Sequence, residues 1–96
     1  MKIWADDLRN APCGYTHCHS VNEIKSVILQ YGAENIEVLD LDHDAGDYAE
    51  HGGDFIRIMD WMEEHNIQIP LHFHTANPVG RRNMESIAKR NGWKIV

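Results

Sequence analysis

The sequence has few cysteines and prolines, no long hydrophobic run and fewer basic than acidic residues. Two cysteines, Cys13 and Cys18, are too few for the disulfide framework of a small secreted domain, so we expect reduced thiols. No apolar stretch approaches the roughly 20 residues of a membrane span, and no signal-peptide core follows Met1. Seven glycines and three prolines in 96 residues fit neither a disordered nor a fibrous chain. We expect one cytoplasmic domain, residues 1–96.

The charge balance limits the partners. Fifteen Asp and Glu against nine Lys and Arg give a formal net charge of −6. This charge opposes broad binding to a nucleic-acid backbone or to an anionic membrane. An anionic ligand would therefore need a local basic site or a bound metal. We expect a small-molecule partner and no extended nucleic acid, and the sequence leaves homodimer formation open.

Apolar periodicity predicts an α/β fold in which short strands alternate with three helices. Ser20 and Glu23 form a capping box at the start of the first helix, and Asn77 with Pro78 is an N-cap followed by a first-turn proline. Such alternation predicts right-handed crossovers and a largely parallel sheet covered by helices. The predicted strands are 2–5, 15–19, 36–41, 69–73 and 93–96, and the predicted helices are 20–32, 54–66 and 77–91.

Ionisable side chains follow three of the predicted strands. Ligands of open parallel sheets bind beyond the carboxyl ends of the strands, so we expect these side chains to share one rim. They are Asp6 and Asp7 after the first strand, Asp42, His43 and Asp44 after the third, and His72, His74 and Thr75 after the fourth.

Converging carboxylates on this rim predict a cation. Like charges repel, so Asp6, Asp7 and Asp42 need a bound metal or a shared proton to lie together. Carboxylate oxygens are hard ligands that suit Mg²⁺ or Mn²⁺, which we expect before Zn²⁺, although nearby histidine would shift the preference towards Mn²⁺ or Zn²⁺. We expect His43 and Asp44 to lie behind these ligands and to orient them.

Two histidines share one face of the fourth strand. His72 and His74 are two residues apart, so their side chains point the same way. In one interpretation both are hydrogen-bonded core residues facing a helix. In the other, one of them binds metal or transfers a proton, because imidazole titrates near neutral pH. The sequence does not decide which histidine would do so.

The third helix begins with basic residues, where the positive end of the helix dipole disfavours cations. Arg81 and Arg82 lie in its first turns. A bound anion would relieve this conflict, and free helix amides, the Thr75 hydroxyl, the Asn77 amide and an arginine would together hold a phosphate. The alternative is two surface arginines with no ligand.

Two further patterns carry less weight. Cys13, His17, Cys18 and His19 lie close in the sequence, but they lack a standard zinc-ligand spacing, so we do not expect a zinc site. The acidic, glycine-containing segment 44–54 is long enough for a lid and is equally typical of an ordinary solvated loop.

Three segments carry a resemblance to a known family. They are Trp4-Ala5-Asp6-Asp7-Leu8-Arg9, Leu41-Asp42-His43-Asp44 and His72-Phe73-His74-Thr75-Ala76-Asn77-Pro78-Val79-Gly80-Arg81. Together they resemble the cyclic-phosphate processing receiver domains, small receiver-like proteins of bacteria and phages. The resemblance implies a receiver-like (flavodoxin-like) three-layer α/β fold. Its five-stranded, mainly parallel sheet would have the order 2-1-3-4-5, with a turn in place of the first helix.

The same resemblance implies binding or opening of a cyclic phosphate of a nucleotide or related sugar. Ordinary response-regulator receivers have an acidic pair, a phosphoacceptor Asp and a Thr or Ser at positions matched here by Asp6, Asp7, Asp42 and Thr75. They also place a Lys at the carboxyl end of the last strand, whereas Lys94 lies within the predicted strand. A simple phosphorelay role is therefore less favoured.

Our hypothesis from the sequence is a metal-assisted phosphoesterase that acts on a cyclic phosphate. The alternative is a non-catalytic, receiver-like regulatory module that binds a cyclic nucleotide or accepts phosphate on Asp42. The enzyme hypothesis assigns the metal to Asp6, Asp7 and Asp42, proton transfer to His72 or His74 beside Asp42, and phosphate binding to Arg9, Thr75, Asn77 and Arg81.

Overall fold

The computed structural model describes all residues, 1–96, and contains four strands and three α-helices. The strands are β1 (Lys2–Ala5), β2 (Tyr15–Cys18), β3 (Val38–Leu41) and β4 (Leu71–Phe73). The helices are α1 (Val21–Tyr31), α2 (Ile56–Glu64) and α3 (Pro78–Asn91), with short 3₁₀ helices at Ala33–Asn35 and Gly46–His51. All strand pairs are parallel, and the order across the sheet is β2-β1-β3-β4. The predicted receiver-like α/β fold is confirmed.

The fifth strand is reduced to one bridge. Ile95 pairs in parallel with Leu71, and two backbone hydrogen bonds flank the bridge, from Leu71 N–H to Lys94 O and from Val96 N–H to Leu71 O. Because Leu71 also pairs with Leu39 of β3, Ile95 lies on the far side of β4. The bridge therefore continues the expected order 2-1-3-4-5, although residues 93–96 do not form a full strand.

Local capping explains where two helices begin. The Ser20 hydroxyl accepts from Glu23 N–H at 3.1 Å, while the Glu23 carboxylate accepts from His19 N–H at 2.9 Å, one residue before the position that a capping box uses. The Asn77 side-chain oxygen accepts from Gly80 N–H at 3.0 Å, and Pro78 follows as the first helical residue. Both predicted helix starts are confirmed.

One face of the sheet holds the core. Alternate strand residues, among them Ile3, Ala5, Leu39 and Leu41, are fully buried with the apolar stripes of the three helices. The connections from β2 to β3, from β3 to β4 and from β4 to Ile95 all run in the same direction along the sheet. Right-handed crossovers place such helices on one side.

The opposite face has no helix against it, and in this the structure differs from a three-layer arrangement. A helix between β1 and β2 would run in the opposite direction along the sheet and would cover that face. Here the connection is a helix-free turn, which is held to β1 by a hydrogen bond of 3.1 Å from Trp4 Nε1 to Arg9 O. We call this the open face, and its strand residues include Trp4, His17, Asp40 and His72.

The three helices have nine to fourteen residues. None of them is both long and apolar enough to cross a lipid bilayer.

Candidate functional site

Asp6 is the buried acid directly after β1. Its side chain is 1% exposed, and Oδ1 accepts hydrogen bonds from Leu8 N–H at 2.9 Å and Arg9 N–H at 2.8 Å. Burial by itself would raise the pKa of Asp6, but these backbone bonds, together with His74, outweigh burial and lower it. The turn that replaces the first helix therefore holds Asp6 as a carboxylate.

His74 lies between two acids. Its Nδ1 is 2.6 Å from Asp40 Oδ1 and its Nε2 is 2.9 Å from Asp6 Oδ2, while the ring stacks on Trp4 at 3.7 Å with an angle of 5° between the planes. Carboxylates only accept hydrogen bonds, so both ring nitrogens must carry a proton to make both bonds. Burial would lower the pKa of His74, but the bonds to Asp40 and Asp6 outweigh it and raise the pKa. The geometry favours an imidazolium.

Asp42 completes a group of three candidate ligands at the ends of β1, β3 and β4. Ligand atoms of Asp6, Asp42 and His74 all lie within 4.8 Å of one another, and Asp42 Oδ1 also accepts from His43 N–H at 2.8 Å. Two carboxylates suit a divalent cation such as Mg²⁺ or Mn²⁺, and an imidazole becomes a ligand only after its nitrogen loses the proton. We call these residues, with Asp40 behind His74, the acid–imidazole group.

Asp7 lies beside this group but does not belong to it. Its carboxylate touches Gly46, where a side chain would collide with Asp7 Oδ2. Burial raises the pKa of Asp7; its own backbone N–H opposes this, and the negative charges of Asp6, Asp42 and Asp44 add to the rise. A cation near these acids would relieve that repulsion.

The predicted phosphate-binding residues surround the start of α3. The Thr75 hydroxyl accepts a hydrogen bond from Asn77 N–H at 3.1 Å. The Asn77 side-chain oxygen accepts one from Gly80 N–H as the helix cap. Arg81 Nη2 donates to Phe73 O at 2.7 Å, and Arg9 Nη1 donates to His74 O at 3.3 Å. These bonds use only some of the available donors, so the four side chains retain donors for a ligand.

The two strand histidines separate in the structure. His72 is exposed, and although it pairs with Asp40 in the sheet, its Nδ1 lies 2.7 Å from Val96 O. The structure therefore brings only one member of the predicted pair into the acid–imidazole group.

His43 and Asp44 form a pair beside α3. His43 Nδ1 lies 2.8 Å from Asp44 Oδ1, and a Cβ atom added to Gly80 would lie 2.5 Å from His43 Cγ. Gly80 is thus required by the close packing of the His43 ring.

Asp40 and Trp4 were missed as site residues. Each lies within a strand and not after its end, where the site residues were predicted. The available signal was the spacing, since Asp40 is two residues before Asp42 and an acid inside an otherwise apolar strand needs a partner. The strand register then places these residues side by side on the open face, because Trp4 pairs with Asp40 and Asp40 pairs with His72.

The two cysteines of the disfavoured zinc arrangement lie in different surroundings. Cys13 is exposed and Cys18 is buried, and the only group of three or more possible metal-ligand residues is Asp6, Asp42 and His74. The segment 44–54 folds mainly as the 3₁₀ helix Gly46–His51, which leaves its role as a lid a prediction.

Comparison with known proteins identifies the family. The family model for the Cyclic-phosphate processing Receiver domain matches residues 1–90, and the chain therefore belongs to that family. No curated protein and no solved structure gives a significant match.

Proposed function

We propose that this member of the cyclic-phosphate processing receiver family is a metal-assisted phosphoesterase that opens a cyclic phosphate of a nucleotide or related sugar. The convergence of Asp6, Asp42 and His74, with Asp40 behind the histidine, carries the proposal. In this arrangement Asp6 and Asp42 would be the metal ligands, His74 would be the proton donor, and Asp40 would orient His74.

The carboxylates would hold the cation. Asp6 and Asp42 supply oxygen ligands, Asp7 adds a third carboxylate nearby, and Mg²⁺ or Mn²⁺ suits this set better than Zn²⁺. A divalent cation bound there would polarise the phosphoryl group and offset its negative charge. The backbone N–H groups of Leu8 and Arg9 favour the ionised form of Asp6, because they donate hydrogen bonds to its carboxylate.

His74 would move the proton. The contacts to Asp40 and Asp6 favour the protonated imidazole and raise its pKa, and Asp40 holds Nδ1 so that Nε2 faces Asp6. As a water molecule attacks phosphorus and the bond to the leaving ribose oxygen breaks, Nε2 would give its proton to that oxygen. The attacking water would lose a proton to solvent, from which His74 would regain one. His72 lacks both the carboxylate partners and this position, so we assign the proton to His74 alone.

Donors around α3 would hold the non-bridging phosphate oxygens. The Thr75 hydroxyl accepts from Asn77 N–H and keeps its own proton to donate. Asn77 keeps its amide NH₂, and Arg9 and Arg81 keep guanidinium donors. These groups would stabilise the negative charge that develops in the transition state.

The test is turnover of nucleoside 2′,3′-cyclic phosphates and ADP-ribose cyclic phosphate with Mg²⁺ or Mn²⁺. We expect His74→Gln to lower kcat by about 10² or more, the usual contribution of acid–base catalysis, and His72→Gln to have little effect. Circular dichroism checks that both variants fold. Equal losses in the two variants would remove His74 from its assigned role.

Metal binding is tested separately by calorimetric titration. We expect Asp42→Asn to weaken Mg²⁺ or Mn²⁺ binding while raising thermal stability without metal, because it removes a ligand charge and relieves repulsion with Asp6 and Asp7. Asp60→Asn, an exposed acid on α2, is the matched control. Unchanged metal affinity in Asp42→Asn would exclude Asp42 as a ligand.

The competing function is a regulatory module that accepts phosphate on Asp42. Its supporting observation is that Asp42 follows β3 and Thr75 follows the neighbouring strand β4, which matches the phosphoacceptor pattern. Incubation with acetyl phosphate and mass spectrometry distinguish the two functions. Phosphorylation of Asp42 without turnover of any cyclic phosphate would replace the enzyme proposal with the regulatory one.

A further inference from the structure

A cavity of about 530 Å³ lies at the carboxyl end of β2, outside the acid–imidazole group. It is bounded by β2, by the first turns of α1 and by the 3₁₀ helix Gly46–His51, and its lining includes His17, Glu23, Tyr48 and His51. Pockets for small ligands have volumes of roughly 300 to 1,000 Å³, so this cavity has the size of a ligand site. None of these residues has a part in the proposed phosphate chemistry.

Four aromatic rings form a row at this cavity, and three of them, His17, Tyr48 and His51, line it. His17 and His19 stack with centroids 4.0 Å apart, His19 and Tyr48 lie 5.3 Å apart, and Tyr48 and His51 lie 6.5 Å apart. They come from β2, from the residue after it and from the 3₁₀ helix. Aromatic faces bind flat rings by stacking, so the row favours a planar heteroaromatic ligand.

The chemistry of the cavity disfavours a metal or an anion. Its imidazoles do not form a group of metal ligands, because the one such group in the structure is Asp6, Asp42 and His74. Burial, with the charge of Glu23, raises the pKa of Cys18 to about 12, so the thiol stays neutral. The Glu23 carboxylate at the start of α1 would also repel a phosphate.

Glu23 instead offers an acceptor to a ligand with donor groups. Its Oε2 accepts from His19 N–H at 2.9 Å, and its other oxygen has no partner. A carboxylate accepts several hydrogen bonds. Among nucleobases, guanine presents two adjacent donors, N1–H and the 2-amino group, which match one carboxylate, whereas adenine presents an acceptor beside its amino group.

The cavity also adjoins the acid–imidazole group. His17 Nε2 lies 2.8 Å from the backbone oxygen of Asp6, and Gly46, two residues before Tyr48, touches the Asp7 side chain. We propose that this cavity binds the base of a guanine nucleotide whose cyclic phosphate lies at the acid–imidazole group. The inference rests on the proposed function and names the substrate class that it would prefer.

Binding to the base and binding to the phosphate are tested with separate probes. Nuclear magnetic resonance titrations with guanosine, with guanosine 2′,3′-cyclic phosphate and with a base-free methyl riboside 2′,3′-cyclic phosphate give each affinity and locate the perturbed residues. We expect guanosine to perturb His17, His19 and Tyr48. Tyr48→Leu should weaken guanosine binding about tenfold or more, because a stacking surface is lost.

Two variants sharpen the assignment. Glu23→Gln keeps an oxygen for His19 N–H but changes the acceptor pattern, so we expect it to reduce the preference for guanosine over adenosine about tenfold. Tyr31→Leu, which removes an exposed ring at the far end of α1, should leave guanosine affinity unchanged. Unchanged affinity for the base-free cyclic phosphate in Tyr48→Leu would show that the fold is intact.

The outcomes separate this inference from the proposed function. If the base-free and guanosine cyclic phosphates bind and react equally well, the base site is wrong and the phosphoesterase proposal survives. If guanosine binds in the cavity but no cyclic phosphate is turned over, the base site survives and the phosphoesterase proposal fails. Equal affinity for guanosine and adenosine in the parent protein would overturn the role of Glu23.

Discussion

The covered face and the open face of the sheet belong to the same four strands, yet they differ in chemistry. On the covered face, Ile3 and Leu39 pack fully buried beneath three helices. On the open face, their strand neighbours Trp4 and Asp40 surround His74. Burying a charge is costly unless an opposite charge lies against it, and the buried Asp6 and Asp40 both contact the His74 ring. No helix covers this part of the open face, because a turn replaces the first helix.

The largest difference between the faces should appear in adjacent residues of β3. Leu39 is fully buried on the covered face, so Leu39→Ala should lower the free energy of unfolding by about 2 to 5 kcal/mol. Val38 is partly exposed on the open face, so Val38→Ala should cost at most about 1 kcal/mol. Urea denaturation measures both. Similar losses would mean that the open face is packed as tightly as the covered one.

The next effect concerns the buried acid of the open face. Asp40→Asn replaces the charged partner of His74, so we expect a loss of about 1 to 3 kcal/mol in the free energy of unfolding and a lower His74 pKa. Nuclear magnetic resonance titration of the ring measures the pKa, and Asp60→Asn on α2 is the control for removing an acid. A His74 pKa that does not move would contradict the assigned contact.

Stability should also depend on pH through His74. In the folded state the pKa of His74 is raised above its ordinary value of 6.5. Its contribution to the free energy of unfolding is therefore complete below pH 6.5 and is lost as pH rises through the folded pKa. Urea denaturation at increasing pH above 6.5 should therefore show a decline in the free energy of unfolding. The decline should be smaller in Asp40→Asn, and an identical pH dependence in that variant would point to another group.

The smallest expected effect comes from the ring beneath His74. Trp4 stacks on the imidazolium, and such cation–π contacts contribute about 0.5 to 1 kcal/mol at partly exposed sites. Trp4→Leu should therefore lower the His74 pKa slightly. Trp61→Leu, which removes a ring beside the exposed His65, should leave the His74 titration curve unchanged.

Much of the fold was predictable because its signals are local. The cap residues Ser20 and Asn77 started their helices as expected, since a side-chain oxygen near free backbone N–H groups acts within one turn. The last strand was overestimated. Its apolar composition is strand-like, but pairing depends on the edge of β4, where the segment forms only the single bridge between Ile95 and Leu71.

The candidate site was predictable in part. Residues that follow strand ends, such as Asp6 and Asp42, could be placed on one rim because parallel strands end at the same edge of the sheet. The roles of Asp40 and Trp4 could not be placed, because each depends on a side chain more than thirty residues away in sequence.

By itself, the sequence determined the acidic balance, the helix starts and the succession of strands and helices along the chain, with polar residues after three strands. All of these depend on neighbouring residues or on composition. Only the tertiary structure distinguished the surroundings of His72 from those of His74, because the two are the same residue type on one face of one strand. The end of β4 carries His74 past the sheet to Asp6 and Asp40, while His72 stays beside Ile95 and Val96. The physical reason is that a histidine's chemistry is set by the charges around its ring, and those charges come from distant strands.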